Sequence, residues 1–144
     1  MEWAVASVAA ARVARLATTG PDGRVDLVPI TFALLGQPDA VRVVTAVDHK
    51  PKTTRQLRRL DNVRSHPEVG LLIDHYDDED WQQLWWVRIT GTARVLDAEE
   101  DLTWRVDALV AKYPQYREIR PAGPVIEVTP TRWRYWSATD RGAP

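Results

Sequence analysis

Short extended-type runs separated by tight-turn residues are the feature that most restricts the fold of this chain. The turn Gly20-Pro21-Asp22-Gly23 joins residues 12–19 to residues 24–35, so this region predicts a β-hairpin. A second turn at residues 36–39 leads into a third strand at residues 40–47. Strands joined by such short turns predict an antiparallel sheet and not alternating strand–helix units.

Three later apolar segments predict further strands, at residues 69–76, 84–96 and 124–136. With the hairpin and the third strand they make six. The chain length of 144 residues fits one domain with a core of ordinary size. We therefore expect a mainly β fold, a six-stranded antiparallel barrel with appended helices, in a single domain over residues 1–144. The last residues, 137–144, predict a loose tail.

Helices are predicted at the start of the chain and before the last strand. Residues 1–11 are rich in alanine and predict a short N-terminal helix. Apolar residues at helical spacing predict another helix over residues 97–113. Asp97 and Glu100 have the spacing of a capping pair for that helix, and Pro114 is expected to end it.

Two positions predict local irregularity in the strands. The alternation of apolar residues changes phase between Leu27 and Val28, beside Pro29. Because proline cannot donate to a ladder of hydrogen bonds, this predicts a bulge or the edge of the sheet. Gly91, in the middle of the strand predicted at residues 84–96, predicts a bend or a close approach of two backbones.

A basic turn connects the third strand to a helix predicted at residues 53–62. Lys50 and Lys52 flank Pro51, which suits the first turn of a helix. Thr53 adds a hydroxyl and a backbone N–H at that helix start, where the dipole favours negative charge. Two interpretations stay open: a phosphate-binding corner, or a basic helix whose charges are simply solvated.

Composition excludes several classes of protein. The net charge of −1 gives no general attraction to nucleic acid or to an anionic membrane, and no run of apolar residues is long enough to span one. The absence of cysteine excludes disulfides and cysteine-ligated metals. No basic segment precedes the early apolar stretch, so we expect a cytoplasmic protein. Seven tryptophans against one phenylalanine favour interfaces and ligand pockets.

No motif for a protein-borne catalytic group is present. None of the three serines lies in a nucleophile elbow, and His49, His66 and His75 do not have the spacing of metal ligands. The acidic stretch at residues 77–80 lacks the glycine and the distal glutamate of a calcium loop, so no metal site is expected. The chemistry is therefore expected to come from a bound organic cofactor.

The order of several short segments resembles a known family, the pyridoxamine 5′-phosphate oxidase-like split-barrel proteins. The closest resemblance is to the actinobacterial branch of deazaflavin-dependent oxidoreductases, which use coenzyme F420. The segments that carry it are Arg15-Leu16-Ala17-Thr18, Asp22-Gly23, Val28-Pro29-Ile30-Thr31-Phe32, Lys50-Pro51-Lys52, Leu57-Arg58-Arg59-Leu60 and Trp86-Val87-Arg88-Ile89-Thr90-Gly91.

The resemblance implies a six-stranded split barrel of the FMN-binding type that forms a homodimer through its sheet, with two equivalent cofactor sites at the interface. It implies that the cofactor phosphate binds the basic segment, at Lys50, Pro51, Lys52, Thr53 and Gln56. It implies that the ring lies along the second and third strands, at Val28, Pro29, Ile30, Thr31 and Thr45. The candidates for closing the site from the partner chain are Trp81, Trp86, Arg88 and Trp136.

The implied activity is hydride transfer between F420 and a small organic acceptor. Arg88 is the candidate for stabilising negative charge on that acceptor; its alternative role is to pair with the acidic loop. FMN is an alternative cofactor, because it also carries a phosphate and a planar ring. A protein that binds flavin or deazaflavin without catalysis is the other alternative.

Overall fold

A computed structural model describes residues 1–37, 39–47 and 54–141, with the backbone alone at residues 54–57. The helices, with a short 3₁₀ turn at Trp81–Gln83, are α1 (Glu2–Ala10), α2 (Thr54–Ser65), α3 (Glu99–Lys112) and α4 (Pro114–Glu118). The strands are β1 (Ala14–Thr19), β2 (Val25–Ile30), β3 (Ala33–Leu35), β4 (Arg42–Ala46), β5 (Glu68–His75), β6 (Trp85–Leu96) and β7 (Val125–Ser137).

The described strands form one curled antiparallel sheet in the order β2-β1-β5-β6-β7-β4-β3, a half-barrel with appended helices. It has seven strands, so the prediction of six was wrong. The segment predicted as one strand at residues 24–35 divides into β2 and β3, which lie at opposite ends of the sheet. The chain leaves the ladder at Thr31 and Phe32, because the backbone N–H of Phe32 donates to the Tyr113 hydroxyl at 3.1 Å instead of to a strand.

Pro29 lies in an edge strand and not at a bulge. The β1–β2 register runs without interruption from Ala14↔Ile30 to Thr19↔Val25, and β2 pairs with no second strand among the described residues. Of the two predicted alternatives the edge is therefore confirmed. The missing N–H of Pro29 is tolerated there because an edge strand needs hydrogen bonds on one side only.

One side of the sheet, the inner face, forms the main core. Leu16, Leu71 and Ile89 are fully buried on it. Helix α1 contributes Ala4 and Val8 to the same cluster, and helix α2 contributes Leu60 and Val63. Burial of this many aliphatic side chains is the main stabilising term of the fold.

The other side, the outer face, is divided into two halves. Over β3, β4 and the adjoining ends of β6 and β7, helix α3 packs Val106 and Leu109 against the sheet residues Val44 and Val125. We call this the covered half. Over β2, β1, β5 and the other ends of β6 and β7, no described element covers the sheet, and Leu27 is 73% exposed. We call this the open half.

Gly91 lies where β6 and β7 change register. The pairing shifts between Thr90 and Gly91, and a Cβ at Gly91 would meet the Thr129 carbonyl oxygen at 2.6 Å. No side chain fits there, so the predicted close backbone approach is confirmed. The shift sets which residues of β7 lie beside the first half of β6.

The predicted capping of the third helix was wrong. The N-cap residue is Ala98, one position after Asp97, and no side chain there accepts a hydrogen bond from the helix. The prediction that Pro114 ends this helix is confirmed, since α3 stops at Lys112; Pro114 then begins α4, where its fixed φ suits the first helical position. Beyond β7, the Ala138 N–H donates to the Leu84 carbonyl at 2.9 Å, which attaches the start of the predicted tail to the barrel.

Candidate cofactor site

A cavity of about 360 Å³ lies on the open half of the outer face. The β6–β7 register places Trp86 directly opposite Trp136, and the β5–β6 register places Arg88 opposite Leu72. All four residues line this cavity, which we call the tryptophan cavity. Three of the four residues predicted to close the site, Trp86, Arg88 and Trp136, are therefore brought together, with two aromatic rings and one guanidinium around a single space.

Arg88 lies beside the Trp86 ring, with the guanidinium carbon 5.7 Å from the ring centroid. Its partner across the strands is Arg134, and like charges in that position repel each other. Within the described ranges, Arg88 makes no ion pair or hydrogen bond. The carboxylate of Asp74, which also lines the cavity, is already bound to Arg15 at 3.0 Å. The cavity thus offers an unpaired cation to an anionic or electron-rich ligand.

Trp81, the fourth predicted residue, does not line this cavity. It lies in the 3₁₀ turn and is 66% exposed, so the structure does not bring it to the other three. The neighbouring acidic loop is held by its own side chains, since Asp77 accepts from the N–H groups of Glu79 and Asp80. This local hydrogen bonding leaves Arg88 without a partner in the loop of its own chain.

The ring-binding residues predicted on the second strand do not share one surface. Because side chains alternate along a strand, Pro29 lies on the outer face while Val28 and Ile30 lie on the inner side. Ile30 is buried in the main core. A single planar ring cannot contact all three side chains. Pro29 shares the outer face with the tryptophan cavity, although three strands lie between β2 and β7.

Val28 lines a second cavity of about 360 Å³, between β2 and helix α2. Arg58 and Arg59 line its opposite side, and Arg58 lies 3.8 Å from Asp26. Burial lowers the pKa of the Arg59 guanidinium, which nevertheless remains a cation. From the sequence, both arginines are identified only as part of a segment that carries the family resemblance. Nothing in the sequence places them at a cavity, because their approach to Val28 depends on how α2 packs.

Asn62 connects α2 to the hairpin below this second cavity. It is fully buried, and its side-chain amide donates to the Thr18 hydroxyl at 3.0 Å and to the Asp26 carboxylate at 2.8 Å. These two bonds fix the helix over the β1–β2 pair. The positions of Arg58 and Arg59, one turn earlier, follow from that attachment.

Thr31 and Thr45 are close to each other, as predicted residues of one ring site should be. The Thr45 hydroxyl donates to the Thr31 carbonyl at 2.7 Å, and the Thr31 hydroxyl lies 2.6 Å from the Tyr116 hydroxyl. Thr45 is 2% exposed, so only Thr31 has a partly accessible side chain. Tyr116 was not among the predicted residues, since nothing in its local sequence relates it to Thr31.

The predicted phosphate corner falls outside the described residues. Lys50, Pro51, Lys52 and Thr53 are not among them, and Gln56 is described only as part of the α2 backbone. Their assignment stays a prediction. The start of α2 at Thr54 agrees with the expected helix, although α2 continues to Ser65, three residues beyond the expected end.

His75 and Trp85 are cavity residues that sequence reasoning missed. Their rings stack with centroids 6.3 Å apart, and both line the tryptophan cavity with Tyr76. Strand alternation alone could not identify them, because they pair across β5 and β6 at the mouth of the barrel. Residues 1–37, 39–47 and 54–141 contain no cluster of acidic or histidine side chains that would hold a metal ion. They also contain no helix long and apolar enough to cross a membrane.

Comparison with known proteins identifies the family. A family model described as pyridoxamine 5′-phosphate oxidase matches residues 2–137. None of the curated proteins matches the chain.

Several solved structures share the fold. The conserved hypothetical protein Rv2991 from Mycobacterium tuberculosis is 22% identical, with a TM-score of 0.72 over 99% of this chain and 87% of that one. A Clostridium acetobutylicum protein related to general stress protein 26, of the pyridoxinephosphate oxidase family, is 14% identical, with a TM-score of 0.66 over 94% and 87% of the two chains. HutZ, the heme storage protein of Vibrio cholerae, is 12% identical, with a TM-score of 0.62 over 88% and 85%.

At these identities the solved structures establish the fold and not a shared ligand. The family model, in contrast, extends over nearly the whole length of the chain, from the first residue of α1 to the last residue of β7. This chain belongs to the pyridoxamine 5′-phosphate oxidase family.

Proposed function

We propose that the protein is an oxidoreductase that transfers a hydride between the deazaflavin F420 and a small organic acceptor. The observation that supports this most directly is the cavity on the open half, where Trp86, Arg88 and Trp136 meet. Its aromatic walls suit a planar conjugated ring, and its unpaired guanidinium suits negative charge on the ligand. When bound, the deazaflavin supplies the two-electron hydride chemistry that no side chain of this protein offers.

The residues of the chain orient and stabilise the reactants. Trp86 and Trp136 exclude water from the reacting faces, which strengthens the electrostatic effect of Arg88. Lys50, Lys52 and Thr53 hold the cofactor phosphate, and the backbone at Val28 and Thr31 supports the ring. Arg88 stabilises the negative charge that the acceptor gains with the hydride.

We further propose that the working form is a homodimer in which the two open halves face each other. Leu27 and Leu72 are both exposed there, and a soluble protein rarely leaves such a surface uncovered. In this dimer the tryptophan cavity of one protomer closes the cofactor site of its partner. The two sites are then equivalent, because a twofold interface uses the same surface of both protomers.

FMN is the alternative cofactor. It is the flavin expected of the family, and both cofactors present a phosphate and a planar ring to the same residues. A protein that binds either one without turnover is the remaining alternative.

Parallel titrations with F420 and with FMN test the cofactor. We expect tighter binding of F420, followed by turnover of reduced F420 with at least one member of a panel of conjugated acceptors. Tighter binding of FMN would replace the proposed cofactor. Tight binding of either cofactor without any turnover would favour the binding protein.

The Arg88→Ala variant tests the role of the cavity. We expect a fall in kcat/KM of about tenfold to a hundredfold, because a charge that stabilises the transition state is lost. The melting temperature should change little, since Arg88 makes no ion pair or hydrogen bond with the described residues. Arg24→Ala removes another exposed arginine, beside the turn between β1 and β2, and should alter neither property. Equal losses of stability and activity in Arg88→Ala would show that Arg88 is structural.

The Lys52→Ala variant tests the phosphate corner. A charge-assisted hydrogen bond contributes roughly 1.5–3 kcal/mol, so affinity for F420 or FMN should fall by about one to two orders of magnitude. Riboflavin, which has no phosphate, should bind as before. Arg64→Ala, at the other end of α2, is the matched control. Unchanged binding of the phosphorylated cofactors would place the phosphate elsewhere.

A further inference from the structure

The break between β2 and β3 is held by hydroxyl groups from distant parts of the chain. Its two residues, Thr31 and Phe32, are not in a strand, so their backbone groups need other partners. The Tyr113 hydroxyl accepts from the Phe32 N–H at 3.1 Å and lies 3.1 Å from the Phe32 carbonyl oxygen. The Thr45 hydroxyl donates to the Thr31 carbonyl at 2.7 Å. The backbone of the break is therefore fixed before any ligand binds.

The side chain of Thr31 is fixed separately. Its hydroxyl lies 2.6 Å from that of Tyr116, the shortest contact around the break. Tyr116 is held in turn by the short helix α4 and by an edge-to-face contact with Tyr113, with ring centroids 5.7 Å apart. A threonine hydroxyl has one hydrogen and two lone pairs, so accepting from Tyr116 leaves its own hydrogen for a ligand.

We propose that Tyr116 is a positioning residue, which orients the Thr31 hydroxyl to donate a hydrogen bond to an acceptor atom of the cofactor ring. This inference rests on the proposed function, which has the ring beside Thr31. Tyr116 does not touch the cofactor; it acts through Thr31. Tyr113 has the different role of holding the backbone.

The exposure of these side chains fits this division of roles. Thr45 and Tyr113 are buried, and their hydroxyls bind backbone atoms. Thr31 and Tyr116 are only partly buried, and their hydroxyls bind each other. A pair of hydroxyls at a partly open position adds little to the fold, because water could satisfy both groups equally well. The fixed geometry of this hydroxyl pair therefore serves to orient Thr31 towards a ligand and contributes little to the free energy of unfolding.

The test uses Tyr116→Phe, Thr31→Ala, Thr31→Ser and the double variant Thr31→Ala/Tyr116→Phe, titrated with F420 and with FMN. Loss of one neutral hydrogen bond should weaken binding of the favoured cofactor about threefold to tenfold in each of the first two variants. Thr31→Ser keeps the hydroxyl and should bind like the wild type. The double variant should bind no more weakly than Thr31→Ala, because both changes remove the same bond.

The absorption spectrum of the bound cofactor distinguishes positioning from a structural role. We expect Tyr116→Phe to shift the absorption maximum of the bound ring in the same direction as Thr31→Ala, with little change in the melting temperature of the free protein. Tyr135→Phe removes the hydroxyl of a tyrosine whose ring packs against Trp3, away from the break, and should change neither spectrum nor affinity.

Several outcomes would overturn the inference. Additive losses in the double variant would mean that Tyr116 acts independently of Thr31. A lower melting temperature of Tyr116→Phe with an unchanged spectrum would make Tyr116 structural. If the wild type binds F420 more tightly than FMN and Tyr116→Phe binds F420 identically, this inference fails while the proposed cofactor stands. If the wild type binds neither, both fail.

Discussion

Each half of the outer face has an arginine next to a tryptophan, but the two arginines differ in burial and in ion pairing. On the covered half, Arg105 lies 4.2 Å from the Trp104 ring, is 5% exposed and binds the buried carboxylate of Glu127. On the open half, Arg88 lies beside Trp86 with no carboxylate partner in the described ranges. On the covered half, therefore, apolar side chains and a carboxylate together bury the arginine, whereas on the open half the described residues provide neither.

Arg94 and Arg42 extend the comparison, since both approach Glu127 from the covered half, at 2.9 and 3.8 Å. One carboxylate there is surrounded by three guanidinium groups. On the open half, Arg88 and Arg134 are cross-strand neighbours, and no carboxylate among the described residues pairs with either of them. An anionic ligand or an acidic segment of a second chain would pair with them in the same way.

The largest expected effect comes from removing the buried carboxylate. Glu127→Gln removes the nearest counter-charge of the buried Arg105, so the free energy of unfolding should fall by about 3–5 kcal/mol. The matched change on the open half is Asp74→Asn, which breaks the half-exposed pair with Arg15 and should cost no more than about 1 kcal/mol. Urea unfolding measures both. Equal losses would remove the energetic distinction between the halves.

Acid unfolding gives a second measure of Glu127. Burial opposes its ionisation, but hydrogen bonds from Arg105 and Arg94 outweigh burial and hold the pKa of Glu127 below its ordinary value. The pairing therefore stabilises the fold above the unfolded-state pKa of about 4.3 and is lost as pH falls through the lower folded-state pKa. The Glu127→Gln variant should lack this part of the acid sensitivity.

Two glycines on neighbouring strands provide the next test. At Gly91 an added Cβ would meet the Thr129 oxygen at 2.6 Å and a Val128 methyl at 2.7 Å, so Gly91→Ala should cost about 1–3 kcal/mol of unfolding free energy. At Gly70 the nearest atom is the Ala17 Cβ, at 3.9 Å, and Gly70→Ala should be nearly neutral. Thermal unfolding compares them; a neutral Gly91→Ala would mean that the bulge relaxes.

Self-association tests whether a second chain covers the open half. Leu27→Asp places a charge on an apolar residue of that surface that is 73% exposed, and it should weaken dimerisation at least about tenfold, by desolvation of the new carboxylate. Ile119→Asp changes an exposed apolar residue outside both halves and should leave association unchanged. Sedimentation velocity over a concentration series gives both constants. A wild-type protein that remains monomeric yet binds cofactor tightly would contradict the interface site.

The smallest effect is expected at Lys112, at the end of α3. Its amine lies 3.9 Å from the Phe32 ring centroid, and burial, with a smaller contribution from Arg12, lowers its pKa from 10.5 to about 8. The folded protein thus disfavours the charged amine, so stability declines as pH falls from about 10.5 to about 8 and stays lower below that.

Lys112→Met should therefore stabilise the protein at pH 7, by on the order of 1 kcal/mol once partial exposure and the contact with Phe32 are allowed for. The gain should disappear near pH 10.5, where the lysine is neutral. Chemical unfolding at the two pH values measures the difference. A loss of stability at pH 7 would show that the contact with the ring outweighs the cost of burial.

Most strand positions could be predicted from the sequence because the residues that specify a tight turn are adjacent in the chain. Gly23, with φ of 82°, adopts a conformation that glycine favours, and the hairpin whose turn contains it lies where it was expected. The division of residues 24–35 was missed because its cause, the Tyr113 hydroxyl, is 81 residues away from Phe32. No local pattern could reveal that contact.

The site was predictable only in part, for a related reason. Alternation along β6 places Trp86 and Arg88 on one face, but their meeting with Trp136 depends on the register that the shift at Gly91 sets. The family resemblance named these residues without that geometry. It also grouped Val28 with Pro29, although alternation along a strand places neighbouring side chains on opposite faces, as the burial pattern of β2 shows.

The placement of the tryptophans gives the protein its own optical probes. Trp86 and Trp136 line the cavity, whereas Trp104 lies on α3 over the other half. Indole emission overlaps the absorption of flavins and deazaflavins, so a ligand in the cavity would quench the tryptophans that line it, Trp85 among them, more strongly than Trp104. Replacing Trp86 and Trp136 one at a time by phenylalanine would resolve the emission of each, and ligand entry could then be followed separately from unfolding without any attached dye.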